Sequence, residues 1–191
     1  LNLNKRIFAR KCELREISDN LYSKFLYENH IQGYAYAKIK IGLFFNKELV
    51  SVMGLGKNRF KHNDASIEII RFANKCGITV VGGFDKLLSY FCKNNFYEKI
   101  ISFVDLRLFD GWSYIKNGFE MISITKPNYF YFLSQDPSTI HNRIKFQKHK
   151  LYNKIKDYDP SLSESDNMYK NGYLKIFDAG SLKMVRINTN I

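Results

Sequence analysis

The residue of this chain best placed for chemistry is an aspartate where a buried strand runs out. Residues 100–119, IISFVDLRLFDGWSYIKNGF, begin as an apolar strand broken only by Ser102 and present Asp105 at its carboxyl end. Arg107 follows, then a short helix over 111–117 that closes on Gly118. A carboxylate at that position of an α/β sheet can accept a proton or position an amine. The alternative is a local ion pair with Arg107. His30 sits just past a helical run, either as a surface group favoured by the helix dipole or as a base or base-contact residue on a loop. In the second case Gly33 lets the backbone turn close to a ligand. Tyr129 and Tyr131 share one face of the aromatic run NYFYFL, with Phe130 and Phe132 on the other. They are interface phenols or, if the strands are neighbours, hydroxyls beside Asp105.

Two further patterns concern anions. Gly82-Gly83 opens an amphipathic run, so free backbone N–H groups stand at the positive end of a helix dipole; paired glycines also serve plain tight turns. Residues 143–156, RIKFQKHKLYNKIK, place Arg143, Lys145, Lys148, Lys150, Lys154 and Lys156 around Phe146, Leu151, Tyr152 and Ile155, with no acid among them. Such a run can track a phosphate backbone while its rings pack or stack, or it is a solvated Lys-rich helix. The polar loop over 56–64 is basic as well.

Composition bounds these readings. The 191 residues suit one domain with an appendage, and 45% hydrophobic content argues for a folded chain. A net charge of +12 favours a polyanionic partner, nucleic acid before anionic membrane. The three cysteines are widely spaced, which reads as reduced thiols rather than a disulfide frame or zinc site. No apolar run approaches the ~18 residues of a membrane span. The first residue is Leu, which leads us to expect further sequence upstream.

The elements that must hold these groups are read from periodicity. A half-exposed strand is expected over 7–17, then a helix capped by Ser18 and running to Asn29. Strands over 38–45 and 49–55 are joined by Asn46-Lys47-Glu48, with Gly42 and Gly54 marking bulges or a close backbone approach. A strand over 66–72 carries Glu68 and Arg71 in an otherwise buried run. Thr79–Val81 lead into the Gly82-Gly83 helix, and strands over 120–125 and 128–133 follow the opening stretch. Beyond Ser134, Gln135-Asp136-Pro137-Ser138 breaks the sheet pattern. A short helix over 165–171 and a closing hairpin of 174–177 with 182–186 complete the chain. The expected division is a core over 1–134 and a basic extension over 135–191.

This order of elements, a mixed α/β sheet flanked by helices, resembles the GNAT N-acyltransferase fold. There the strand before the Gly-opened helix splays from the strand after it, and a cofactor pyrophosphate sits on the helix start. An acyl-CoA-like donor is compatible with that, yet the Arg/Gln-x-x-Gly-x-Gly/Ala phosphate loop is absent, so the donor stays unassigned. The strings ARKCELREI, ENHIQG, VVGGFDKL, SFVDLR, YIKNGF, PNYFYF, KFQKHKL and NGYLKIFDAGSLK, spread from about residue 6 to 186, resemble a phage domain. That domain occurs alone or carboxyl-terminal to homing-endonuclease nuclease domains. His30 after a helix, Asp105, Tyr114 before Gly-Phe and the aromatic strand are also similar to Mom-type proteins, GNAT-like enzymes that modify adenine in DNA.

Several expectations follow from the resemblances. His30 and Asp105 are catalytic, with Tyr131 or Tyr129 as a third member. Gly82 and Gly83 hold an anionic donor, and Arg107, Arg143, Lys145, Lys148 and Lys150 contact DNA. Trp112, Tyr114 and Tyr131 offer rings for stacking. An upstream nuclease domain is an implied partner, and the implied location is the cytoplasm of a bacterial host. The rival from another class is a DNA-binding specificity module without transferase activity. No His-Asn-His, LAGLIDADG or GIY-YIG constellation is visible, so nuclease chemistry is not expected within these residues.

Overall fold

The strand expected over 7–17 is two strands that turn to different partners. In the computed structural model, which describes residues 4–57 and 66–189, β1 (Lys5–Phe8) is followed by a 3-10 turn at Ala9–Lys11 and then β2 (Glu13–Glu16). Lys86 imposes the break, its ammonium donating to the carbonyls of Ala9 at 3.0 Å and Cys12 at 2.6 Å. Helix α1 (Asp19–Asn29) starts as expected, the Ser18 hydroxyl accepting the Leu21 N–H at 3.3 Å. Strands β3 (Ile39–Phe45) and β4 (Glu48–Lys57) meet at Asn46-Lys47, both in the left-handed region at φ 50° and 67°. That is the two-residue hairpin geometry whose twist matches the strands, so Glu48 belongs to β4 rather than the turn. The chain continues through β5 (Ile67–Asn74), β6 (Ile78–Val81), α2 (Gly83–Asn94) and β7 (Lys99–Asp105). Then come α3 (Trp112–Ile115), β8 (Glu120–Ile124), β9 (Tyr129–Leu133), β10 (Asp136–Asn142), α4 (Glu164–Lys170), β11 (Tyr173–Phe177) and β12 (Ser181–Ile187). Most of the basic loop over 56–64 lies outside the described residues.

The chain divides into two compact units. The first takes Leu1–Val104, Asp110–Ser123 and Leu182–Ile191. Its seven-stranded sheet has the order β2-β3-β4-β5-β7-β12-β8, antiparallel from β2 to β5 and parallel between β5 and β7. The parallel ladder covers Ile67–Ile69 against Ile100–Ser102, so the carboxyl halves of β5 and β7 run on past their last pairing. Tyr22, Phe25 and Leu26 of α1 pack with Leu49, Val52, Ile70 and Ala73 of the sheet. Leu87, Leu88 and Phe91 are the buried side of α2. Gly54 is needed where α1 crosses β4, because a Cβ there would collide with the Tyr22 hydroxyl and ring. The ladder also shifts register between Gly54 and Leu55, as the glycine signal implied.

The second unit takes Asp105–Phe109 and Ile124–Ser181. Its sheet has the order β10-β9-β11, with both outer strands antiparallel to β9. Three expectations change here. Residues 136–142 form a strand despite Pro137: β10 is an edge strand, where a missing donor is tolerated. The closing hairpin is not formed, because β11 pairs with β9 whereas β12 lies between β7 and β8. Gly180 sets that departure at φ 78°, and a Cβ there would strike the Thr125 carbonyl. The boundary expected after Ser134 falls inside the second unit, since β9 is its central strand.

The run 143–156 is not a regular α-helix. It forms two 3-10 segments, Arg143–Phe146 and Lys148–Asn153, whose buried residues are Phe146 and Leu151. Those two join Tyr131 and Met168 in the core of the unit. Two asparagines one turn apart on α4 tie down the loop before it. The buried Asn167 accepts the Asp159 N–H at 2.8 Å and donates to the Asp159 carbonyl at 2.8 Å. Asn171 accepts the Asp157 N–H at 2.9 Å and returns a bond to its carbonyl at 3.1 Å.

Candidate functional site

Asp105 is held by Arg107. The carboxylate accepts from Arg107 Nε at 3.0 Å, Nη2 at 2.7 Å and the Arg107 backbone N–H at 3.1 Å. The guanidinium lies over the Phe130 ring at 5.7 Å from its centroid. Bonding to the Asp105 carboxylate, with the Asp178 charge adding to it, raises the Arg107 pKa above its ordinary value, and the carboxylate and the Phe130 ring hold the guanidinium in place. The local ion pair anticipated from the sequence is therefore present.

His30 caps the carboxyl end of α1, its N–H donating to the Leu26 carbonyl at 2.9 Å. Burial, and then the nearby Arg71 guanidinium, lower its pKa to about 4. The imidazole is neutral near pH 7, unlike the dipole-stabilised cation that its position suggests. Nδ1 accepts the Gln32 N–H at 3.1 Å, which puts the ring proton on Nε2. In this tautomer His30 offers a hydrogen-bond donor to anything outside. Gly33 has φ 62° and gives its carbonyl to Arg71 Nε at 3.1 Å, so the loop after α1 is anchored on β5.

Tyr129 and Tyr131 converge on Glu164, each hydroxyl 2.9 Å from the same carboxylate oxygen. Burial first, and then the Glu164 bond, push both phenols upward in pKa. Tyr131 has a relative exposure of 0% and packs edge-on to Phe146, so its ring is not available for stacking on a base. Tyr129 is half-buried, with the Lys175 ammonium at 4.4 Å and the Arg143 guanidinium at 5.3 Å from its ring centroid. The two tyrosines belong with Asp105 and Arg107 to the second unit, whereas His30 belongs to the first.

In the first unit, the Phe72, Phe84, Tyr114 and Phe119 rings pack against one another near the end of the β5–β7 ladder. Ring centroids lie 5.2 Å apart for Phe72–Phe84, 4.7 Å for Phe84–Tyr114 and 5.3 Å for Tyr114–Phe119. The Tyr114 hydroxyl bonds Ser102 Oγ at 2.9 Å, at the last paired position of β7, and its burial raises the phenol pKa. Trp112 is exposed, with Lys116 over its ring at 5.3 Å. Glu68 on β5 is a buried carboxylate at 1% exposure whose only sequence signal was a charged residue inside an apolar strand.

Gly82 is in the left-handed region at φ 74° and caps α2 without a side-chain bond; Gly83 packs against Val80. A helix start of this kind leaves its first backbone N–H groups without intrahelical partners. The rest of a pyrophosphate loop is not there. With Gly82 set at the first glycine of Arg/Gln-x-x-Gly-x-Gly/Ala, Thr79 stands at the cationic or amide position and Phe84 at the small one. Thr79 is tied into β6, paired with Arg6 of β1, and Phe84 is sunk among the aromatic rings. The residues present do not supply the usual cradle for coenzyme A. Among the described residues, no group of three or more His, Cys, Asp or Glu side chains is placed to hold a metal ion, and no helix is long and apolar enough to cross a membrane.

The architecture is that of the GNAT acetyltransferases. It superposes on a Bacillus subtilis acetyltransferase in complex with CoA with TM-score 0.53 and 15% identity, covering 93% of this chain and 99% of that one. The Escherichia coli ribosomal-protein-S18-alanine N-acetyltransferase matches with TM-score 0.51 and 7% identity, over 94% and 98% of the two chains. At such identities the likeness concerns the fold. No protein-family model and no curated protein sequence matches the chain.

Proposed function

We propose that this chain is a GNAT-fold protein directed at nucleic acid, transferring an acyl-type group to a nucleobase amine in the manner of Mom-type proteins. The observation that carries the nucleic-acid part is the orientation of the basic run. Phe146 and Leu151 are buried, while Arg143, Lys145, Lys148, Lys154 and Lys156 are exposed. Lys150 differs, being half-buried and bonded to the Ile144 carbonyl and the Gln147 amide. Cations anchored by an apolar underside suit the phosphate backbone of DNA, although Lys148 has the Asp159 carboxylate nearby. The group-transfer part is supported by the fold and by the start of α2, with one polar group in each unit to be tested by itself. In the first unit, His30 would donate from Nε2 to a base. In the second, Asp105 would take up an amine proton once its pair with Arg107 opens. A base in a duplex is out of reach, so the substrate is single-stranded or flipped.

A second reading, a DNA-binding specificity module without transfer activity, is favoured by Asp105 being closed by Arg107 and by both tyrosines being committed to Glu164. One experiment separates the two. DNA co-expressed with the intact chain is digested to nucleosides and weighed, alongside Asp105→Ala and His30→Ala. A mass shift lost in the variants while DNA affinity is kept supports transfer. Unchanged mass with tight, salt-sensitive binding decides for the module. Binding that is flat in salt defeats both.

A further inference from the structure

Beside α2 the first unit has a groove of about 590 Å³. One wall is the β1 end and its 3-10 turn, with Phe8 and Arg10. The other is the outer stripe of α2, with Asp85, Ser89, Tyr90 and Lys93, and Leu14 and Val81 complete the apolar lining. The volume lies within the roughly 300–1,000 Å³ typical of small-ligand sites. The lining also takes in Gly82, so the groove runs up to the α2 start described above, and none of it belongs to the basic run of the second unit.

The groove is held open by design of the turn. Lys86 bonds the carbonyls of Ala9 and Cys12, which pins the turn to α2 and satisfies backbone acceptors that would otherwise face the groove. Phe8 remains 42% exposed although it lies in a paired strand, and the Arg10 guanidinium lies 5.2 Å from its ring centroid. Arg10 and Lys93 are exposed cations on opposite walls; Asp85 is the acid among the lining residues. An aromatic face with a guanidinium at its side, across from a tyrosine and an ammonium, has the chemistry for a base stacked between rings with its phosphate on a cation.

We infer that this groove binds a nucleotide of a single-stranded nucleic acid, with the base against Phe8 and Tyr90 and the phosphates on Arg10 and Lys93. The inference rests on the nucleic-acid reading above and adds to it a second contact, in the first unit, that stacks rather than only neutralises charge. A free nucleoside phosphate shares the chemistry, so the test distinguishes the two sources.

The intact chain is titrated into labelled oligo-dT of about 15 nucleotides over a salt series. Phe8→Ala is expected to weaken binding roughly 5- to 100-fold with the salt slope unchanged, as loss of one base stack does. Arg10→Ala and Lys93→Ala should each lower the slope by about 0.7, the single-strand value per phosphate. Wild-type protein cross-linked to bromouracil-substituted oligonucleotide should yield labelled peptides containing Phe8 or Tyr90, which needs no variant to fold. If dTMP suppresses that cross-link when present at the oligonucleotide's own nucleotide concentration, a free nucleotide is the occupant and the strand assignment is overturned. If wild-type binding is steep in salt but the variants match it and the cross-links fall only within residues 124–181, the groove is overturned while the nucleic-acid reading stands. A wild-type chain that does not bind oligo-dT or duplex overturns both.

Discussion

The two units bury aromatic residues in different ways. In the first, Phe72, Phe84 and Phe119 pack with Tyr114, which bonds Ser102, and cations such as Arg10 on Phe8, Lys40 on Tyr36 and Lys116 on Trp112 lie at exposed rings. In the smaller second unit the rings are laced with charge. Tyr129 and Tyr131 share Glu164, Lys175 and Arg143 lie over Tyr129, and the Lys175 ammonium also bonds the Ser165 hydroxyl. A three-stranded sheet buries too little apolar surface to fix its loops by packing alone. Hydrogen bonds from Asn167 and Asn171, and cations on rings, supply the remainder. The outward cations of 143–156 have no acid within the run, Asp157 following directly after it.

Four measurements would break or sharpen that contrast. Tyr131→Ala empties the centre of the second unit and removes a bond to Glu164, so a loss of about 3–5 kcal/mol is expected in urea unfolding. If the units differ as described, proteolysis should then cut within 124–181 before the first unit yields. Gly54→Ala tests the first unit by overpacking Tyr22 on β4, with an expected cost of about 1–3 kcal/mol. Loss of protection in α1 and β4 by hydrogen exchange would locate it, and a variant as stable as the parent would refute the close approach. For the exposed charge, Lys145→Ala, Lys148→Ala and Lys154→Ala should leave stability within about 0.5 kcal/mol. Each that contacts a phosphate should lower the salt slope on duplex by about 0.9. Lys150→Ala should change the slope less, since its ammonium is engaged by Ile144 and Gln147.

The remaining measurement concerns His30 and is read against pH. Its folded pKa of about 4 lies below the ordinary 6.5, so between those values the unfolded chain binds the proton and the native chain does not. The His30 contribution is therefore complete above about pH 6.5 and lost as pH falls toward 4. The urea midpoint should drop over that window, and His30→Gln should flatten the drop; an identical profile would place the acid sensitivity elsewhere.

Much of this was legible because it is local. Ser18 caps α1 through its own side chain, Asn46-Lys47 turns the hairpin, and Gly54 marks a backbone approach by lacking a Cβ. The Asp105–Arg107 pair is two residues apart, and the alternation of Tyr129 with Phe130 follows from strand geometry alone. What stayed hidden depends on partners distant in sequence. Lys86, 77 residues from Ala9, breaks the first strand. Gln135-Asp136-Pro137-Ser138 read as a break in the sheet pattern, because edge position is a property of the assembled sheet.

The sequence by itself determined most of the element types, the mixed α/β class, the excess of cations, the Asp105–Arg107 pair and the Gly82 helix start, all of which follow from periodicity, side-chain chemistry or a missing Cβ. Only the tertiary structure decided that β12 leaves β11 to join the large sheet, that Tyr131 is interior and that His30 is uncharged. Burial and the neighbours it brings set those outcomes, and both are consequences of the whole fold rather than of any one stretch.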